Sequence, residues 1–433
     1  MNYLFIHQNM PGQYKHIVTR LAKNKKNKVV FITKRKGVEI PNVVKALYKP
    51  RRTAQKTTHH YIGSFENSVL NGQQVVRVAQ SLKKKGFTPH IVIGHPGWGE
   101  MLYIKDVFPD VPMLSFFEFY YRSHGANIGF DPEYPVSLNE MCQIRTANLV
   151  NMMSLESADA GVSPTYWQYQ RYPPEFRYKL SVIFDGIDTR VCVPDPRAAL
   201  DVGGGKVLTR ADEVVTYAVR NLEPYRGFPT FMRAVELICK RRPKAHVVIL
   251  GGDTVSYGRR LPGGRKYREK MLKEVTIDED RVHFLGTLPY EKYLSVLRVS
   301  SAHVYLTYPF VLSWSMIEAM SSECLVIGSS TPPVLEVIED RHNGLLVDFF
   351  SPEDVADRVD EVLDHPDQMR EIRQRARQTV LERYDLEKCL ARQMTLIKNL
   401  VMGHRPQPPA PDYKPGVPVM APAKRIKRRP AAT

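Results

Sequence analysis

Short apolar runs recur along the chain, separated by stretches whose apolar residues fall at helical spacing. Residues 2–7 make the first run and lead into Pro11-Gly12, and residues 14–23 then carry apolar side chains three and four apart, so strand, loop and helix follow in that order. KVVFIT at 28–33, HIVIG at 90–94 and VPMLSFFEF at 111–119 predict further strands, with helices over 72–85 and 101–108 between them. Strands alternating with helices predict a parallel, doubly wound sheet. The pattern then restarts with VVTYAV at 214–219, a helix over 228–241, HVVILGGD at 246–253, RVHFLG at 281–286, AHVYLT at 302–307, LVIGS at 325–329 and GLLVD at 344–348. Between the two series, DGIDTRVCVPDP and DVGGGK break the apolar pattern. The expected division is therefore a Rossmann-like first lobe over 1–190 and a Rossmann-like second lobe over 191–402. Two such lobes on one linker enclose a cleft, and open α/β sheets take ligands at the carboxyl ends of their strands. Residues 403–433 hold eight prolines and end in the basic RIKRR, a composition expected of a disordered tail.

Composition narrows the class. A chain of 433 residues exceeds what one core usually holds, in keeping with two lobes. Lys and Arg number 62 against 45 Asp and Glu, a net charge of +17 that favours anionic partners. The five cysteines are scattered, with no CxxC spacing for zinc or redox work, as expected of reduced thiols in a cytoplasmic protein. The start, MNYLFIHQNMPGQYKH, lacks the pattern of a secretory signal, and no stretch approaches the roughly 18 apolar residues of a membrane span. Basic clusters at Lys15, Arg20, Lys23, Lys25, Lys26 and Lys28, at Lys83 to Lys85 and at Arg51-Arg52 offer attachment to an anionic inner leaflet, or form an ordinary solvated helix end.

The candidate chemistry sits where strands end. VVTYAV runs into Arg220, and Arg226 follows just before Gly227 and a helix, which puts two guanidinium groups where a diphosphate would lie. In YPFVLSWSMIEAM a helix begins near Ser313 and Ser315, with free backbone N–H groups at its start, and Glu318 lies about one turn inside. A carboxylate there can accept two ribose hydroxyls. Gly12, in a strand-to-helix turn, lets the backbone approach a phosphate or simply makes a tight turn. His95 in HPGWGE and Glu118 in FFEFYYR end two strands and are placed to face the nucleotide, or to pack against Trp98 and pair with Arg122 respectively. His124 is a weaker loop candidate, and Asp185 and Asp188 are expected to shape the interlobe turn, with ligand contact as the lesser alternative.

The order and spacing of RNLEPYRG, VVILGGD, HFLGTLPYEKYLSVLRVSSAHVYL and IEAMSSECLVIGSSTPPVLEVIEDRHNGLLVD make residues 214–385 resemble the nucleotide-sugar-binding lobe of the family-4 retaining glycosyltransferases. HQNMPGQYKHIVTRLAK, HIVIGHPGWGEMLYIKDVFPDVPMLSFFEFYYR and GFDPEYP resemble the first lobe of a bacterial subgroup of the same family. The resemblance implies the two-lobed GT-B fold. It also implies transfer of a glycosyl group from a nucleotide-diphosphate sugar to an acceptor hydroxyl with retention, without metal or other cofactor. The acceptor it implies is a glycan or lipid-linked group of polysaccharide or glycoconjugate synthesis. By this resemblance Arg220 and Arg226 hold the donor diphosphate, Ser313 and Ser315 offer amides to it, and Glu318 takes the ribose. His95 and Glu118 then meet the sugar or acceptor. One departure stands out: the family commonly has a glutamate eight positions before that of Glu318, and this chain has Phe310. A nucleic-acid-binding protein, for which no finger, RNP or helix-turn-helix pattern is visible, is the competing class. Another GT-B enzyme, such as a sugar-nucleotide epimerase or a phosphorylase, is the nearer alternative.

Overall fold

The computed structural model describes residues 1–406, so most of the 403–433 segment read as a tail lies outside the described residues. The first sheet is built from β1 (Asn2–Ile6), β2 (Lys28–Thr33), β3 (Val43–Leu47), β4 (Ile91–Gly94), β5 (Met113–Phe116), β6 (Ala160–Ser163) and β7 (Leu180–Val182). All its pairings are parallel, in the spatial order β3-β2-β1-β4-β5-β6-β7. A hairpin of β8 (Ala199–Gly203) and β9 (Lys206–Thr209) follows, in the stretch whose glycines read as a break. The second sheet comprises β10 (Val214–Asn221), β11 (His246–Gly252), β12 (Val282–Gly286), β13 (Ala302–Tyr305), β14 (Val326–Ser329) and β15 (Leu345–Val347), also parallel, in the order β12-β11-β10-β13-β14-β15. Two doubly wound sheets facing one another are the GT-B architecture.

Burial on both faces explains why these strands are nearly all apolar. On the second sheet Tyr217 and Phe231 are fully buried and stack with ring centroids 4.4 Å apart, joining β10 to the helix Phe228–Arg241. On the first, Leu390, Leu396, Ile397 and Leu400 of the helix Leu386–Val401 pack with Phe5, Ile17 and Ile93. That helix lies within the 191–402 segment yet covers the first sheet. The helix read over 72–85 extends over Gly63–Lys84, and the one read over 101–108 shrinks to Ile104–Val107.

The lobes also touch through a strap that leaves the first lobe after β5. Phe119 and Ala126 join the core cluster of the second lobe, Phe130 packs 5.0 Å from Tyr308 and 5.2 Å from Phe349, and Tyr308 donates to Asp131 at 2.5 Å. Glu133 pairs with Arg233 at 2.6 Å. From the other side, Glu336 accepts the backbone N–H groups of Tyr166 and Trp167, each at 2.8 Å. Removing the stacked ring with Phe231→Ala should cost about 3–5 kcal/mol of stability, read as a lowered urea midpoint; an unchanged midpoint would contradict the packing described.

Candidate functional site

Each sheet reverses its winding direction beside its central strand: β1 lies between β2 and β4, and β10 between β11 and β13. At such a switch the loops leaving neighbouring strands part in opposite directions and open a crevice. His7 and His95 follow β1 and β4, while Arg220 ends β10 and the 306–313 loop follows β13. The two crevices face one another as a trough with two connected spaces of about 540 and 900 Å³. Gly12, Asp185, Arg220, Ser313 and Ser315 line both; His95, Glu118 and Arg226 line one end, and Glu318 the other.

The second lobe supplies positive charge. After Arg220 the chain makes a 3-10 turn at Pro224–Arg226 and then enters the left-handed region at Gly227, with φ at 69°, where a Cβ would come within 2.4 Å of Leu306. This turn brings Arg226 back into the trough. Arg226 is 9% exposed, and its Nη1 donates to Thr307 Oγ1 at 2.8 Å and the Val311 carbonyl at 3.1 Å, with the guanidinium 5.9 Å above the Tyr257 ring. No carboxylate among the described residues pairs with it. Arg220 is exposed and has neither a hydrogen bond nor an ion pair among the described residues.

Ser313 caps the helix Trp314–Ser321, its Oγ accepting from the Ser315 N–H at 3.3 Å and lying 2.9 Å from the Ser315 hydroxyl. Deeper in the helix, Glu318 is buried, and each carboxylate oxygen accepts one phenol: Oε1 from Tyr290 and Oε2 from Tyr293, both at 2.8 Å. Burial pushes its carboxyl up, against the pull of the two tyrosines. The carboxylate expected to receive two hydroxyls therefore already holds two.

The first lobe supplies two histidines and a glutamate. Gly12, at φ 53°, sits against His7, whose ring a Cβ would approach to 3.0 Å. His7 Nδ1 accepts the Asn9 N–H at 2.8 Å, and burial together with the neighbouring His95 holds the ring neutral, down to about 3. His95 Nδ1 likewise accepts the Gly97 N–H at 3.0 Å, so a neutral His95 carries its proton on Nε2. That Nε2 lies 3.5 Å from Glu118 Oε2, buried and without a hydrogen bond among the described residues, while the ring stacks on Trp98 at 4.6 Å. Glu118 is 43% exposed at the trough floor. Desolvation there pushes its carboxyl up, but His95, Arg220 and Arg226 outweigh this and hold it below the ordinary value. Arg122, the alternative partner of Glu118, donates instead to the Arg171 carbonyl at 2.8 Å.

Three further groups also line the trough. Asp185, raised to about 7 by burial, accepts from Trp314 Nε1 at 2.8 Å and so ties the lobe junction to the second lobe. Glu223 is buried in the trough wall, accepts the Ser256 and Tyr257 N–H groups at 2.9 Å, and is likewise raised to about 7 by burial. His7 is the third; its position directly after β1 was the available signal. Phe310, where the family commonly has a glutamate, is buried against Phe119 at 4.7 Å and Tyr257 at 4.9 Å. His124 is exposed and does not line the trough, and Asp188 pairs with Arg190 at 3.0 Å. Of the basic clusters, Arg20 is paired with Glu387 and Lys28 lies over the Phe87 ring. Among the described residues no helix is long and apolar enough to cross a membrane, and no three His, Cys, Asp or Glu side chains gather as a metal site.

Residues 25–192 match the family model described as glycosyl transferase family 4 group, and residues 205–379 match that of the glycosyl transferases group 1. The two segments take in both lobes, and the chain belongs to this family of glycosyltransferases. No curated protein matches by sequence. Among solved structures, Anabaena Alr3699/HepE in complex with UDP and glucose aligns with a TM-score of 0.65 at 14% identity, over 92% of this chain and 100% of that one. Sucrose-phosphate synthase from Thermosynechococcus elongatus aligns at 0.68 and 17%, over 93% and 100%. A glycosyltransferase from Rickettsia africae aligns at 0.64 and 14%, over 93% and 98%. At these identities the likeness is one of fold.

The raised carboxyl of Asp185 predicts a pH signature. Between its ordinary value of 3.8 and about 7 the unfolded chain releases this proton while the folded chain keeps it, so the residue's contribution to stability falls as pH rises through that window and levels off above it. Asp185→Asn retains an acceptor for Trp314 and has no such slope. Its melting temperature relative to the parent should rise from pH 4 to pH 8; a difference constant across that range would contradict the burial of the carboxyl.

Proposed function

We infer that the enzyme transfers a glycosyl group from a nucleoside-diphosphate sugar to an acceptor hydroxyl, with retention and without a metal ion or other cofactor. The observation that carries this reading is the pair Arg220 and Arg226, two cations without carboxylate partners among the described residues, at and just beyond the carboxyl end of β10, facing a trough large enough for a nucleotide sugar. Two fixed guanidinium groups and the amides at the start of the Trp314 helix provide preorganised charge for a departing diphosphate. The family, and the UDP and glucose named for the Anabaena structure, support a nucleotide sugar as donor.

In the proposed reaction the bond from the anomeric carbon to the diphosphate oxygen breaks, and the acceptor oxygen bonds to that carbon from the same face. The acceptor's proton passes to the departing phosphate, so anomeric configuration is kept and no protein nucleophile is needed. Gly12 lets the first-lobe turn close on the phosphates, and Ser313 and Ser315 orient them. The ribose hydroxyls exchange with the tyrosine phenols on Glu318. A sugar hydroxyl bridges His95 Nε2–H and Glu118 Oε2, whose 3.5 Å separation leaves both groups free to bind it. The acceptor is a glycan or lipid-linked group of polysaccharide or glycoconjugate synthesis. The enzyme works in the cytoplasm, docked peripherally through Lys23, Lys25 and Lys26 on an anionic leaflet.

The test is turnover of UDP-, GDP- and ADP-sugars with candidate acceptors, following release of nucleoside diphosphate and the anomeric configuration of the product by NMR. One donor should be consumed with retention and undiminished by EDTA, and Arg220→Ala and Arg226→Ala should each lower kcat about 100-fold or more. An inverted product, EDTA sensitivity, or an epimerised nucleotide sugar without transfer would overturn the corresponding part of the reading.

A further inference from the structure

Behind the Tyr257 wall of the donor trough, the first-lobe strap and the second lobe border another cavity, of about 400 Å³, within the roughly 300–1,000 Å³ of small-molecule sites. Its walls are aromatic. Tyr225 stacks on Tyr308 with centroids 4.6 Å apart and lies 6.1 Å from Tyr257 at 27°, while Phe310 stands edge-on to Tyr225 at 5.5 Å and to Tyr257 at 4.9 Å. Tyr134 closes the strap side.

One polar group in this wall is unanswered. Asn127 is 4% exposed and donates Nδ2–H to the Tyr225 hydroxyl at 2.9 Å, but its Oδ1 is buried without a hydrogen bond among the described residues. A buried acceptor left without a donor costs about 1–3 kcal/mol, which an incoming hydroxyl would relieve. The charged groups lining the cavity are already engaged: Arg259 donates to Glu140 at 3.0 Å, and Asp131 accepts the Tyr308 hydroxyl. The donor trough, by contrast, holds Arg220 and Arg226, which have no carboxylate partner among the described residues.

Flat aromatic faces, a free amide oxygen and no unpaired cation suit a neutral ring with an apolar C–H face and a hydroxyl edge. We propose that this cavity binds a pyranose ring of the acceptor, stacked on the Tyr225–Tyr257 face and held by a hydroxyl donated to Asn127 Oδ1. Resting on the transferase reading, this makes the acceptor a glycan. Phe310 then has a use: at the position where a glutamate is common in the family, it completes the aromatic wall that separates this ring from the donor.

Saturation-transfer NMR tests the proposal with methyl α- and β-pyranosides of glucose, galactose and mannose, and with maltose and cellobiose, at millimolar concentration with and without UDP. At least one saccharide should receive saturation at its ring protons in the presence of UDP. Asn127→Leu and Tyr134→Ala should weaken that binding at least about fivefold while leaving UDP affinity unchanged in a protein that still unfolds cooperatively. Absence of transfer to every saccharide, equal transfer in both variants, or displacement by UDP would overturn it. If a variant unfolds, Asn127→Asp, which keeps an acceptor oxygen, should retain binding in a folded protein, and its failure to do so counts against the proposal. Nucleotide binding without saccharide binding refutes this cavity and spares the donor site; saccharide binding without nucleotide binding does the reverse.

Discussion

A buried cation with neutral partners is the constraint on which the site depends. Arg226 is 9% exposed, and the groups that fix its guanidinium are the hydroxyls of Thr307 and Tyr305, a backbone carbonyl and an aromatic face. Removing such a charge from water is costly, and these dipoles offset the cost in part. An anion that reaches Arg226 gains the Coulombic energy that a resident carboxylate would otherwise have taken. Of the carboxylates nearby, Glu223 is committed to two backbone amides and Asp185 to Trp314, while Glu118 stands 3.5 Å from His95 Nε2.

Topology puts that cation where a ligand can reach it. Each parallel sheet changes winding direction beside its central strand, so each has one crevice at its carboxyl edge. The last helix, Leu386–Val401, belongs by sequence to the end of the chain and by packing to the first sheet, and with the strap and Glu336 it holds the lobes with their crevices opposed. The first lobe brings His7, His95 and Glu118 to the trough, with Arg35 and Lys15 beside them, and the second brings Arg220 and Arg226 with Glu223 and Glu318. A ligand between them meets guanidinium groups from one lobe and imidazole and carboxylate groups from the other.

Most strands could be read from the sequence because burial on both faces makes them continuous apolar runs, as in KVVFIT and HVVILGG. The ones that could not be read lack that feature. β3, VVKAL, lies at the sheet edge and is largely uncovered; β6, AGVS, is short and built of small residues; β7, LSV, is only three residues long; and β8 and β9 are joined through Gly203, Gly204 and Gly205, all at positive φ, which read as a linker. Arg220, Arg226 and Glu318 were legible because strand ends and helix starts locate them along the chain. The roles of Asp185 and Glu223 depend on Trp314 and Tyr257, residues far away in sequence, and no local pattern announces them. Nor could spacing reveal that Tyr290 and Tyr293 occupy both oxygens of Glu318, or that Phe310 stands in an aromatic wall formed when the strap crosses between lobes.

Calorimetric titration with UDP, GDP and ADP, on the parent protein and on Arg226→Ala and Glu318→Ala, tests the central claim most directly. Micromolar binding of one nucleoside diphosphate, lost in both variants, is the predicted result. Binding that is absent for all three, or that persists undiminished when Arg226 is removed, would contradict the assignment of the trough as the donor site.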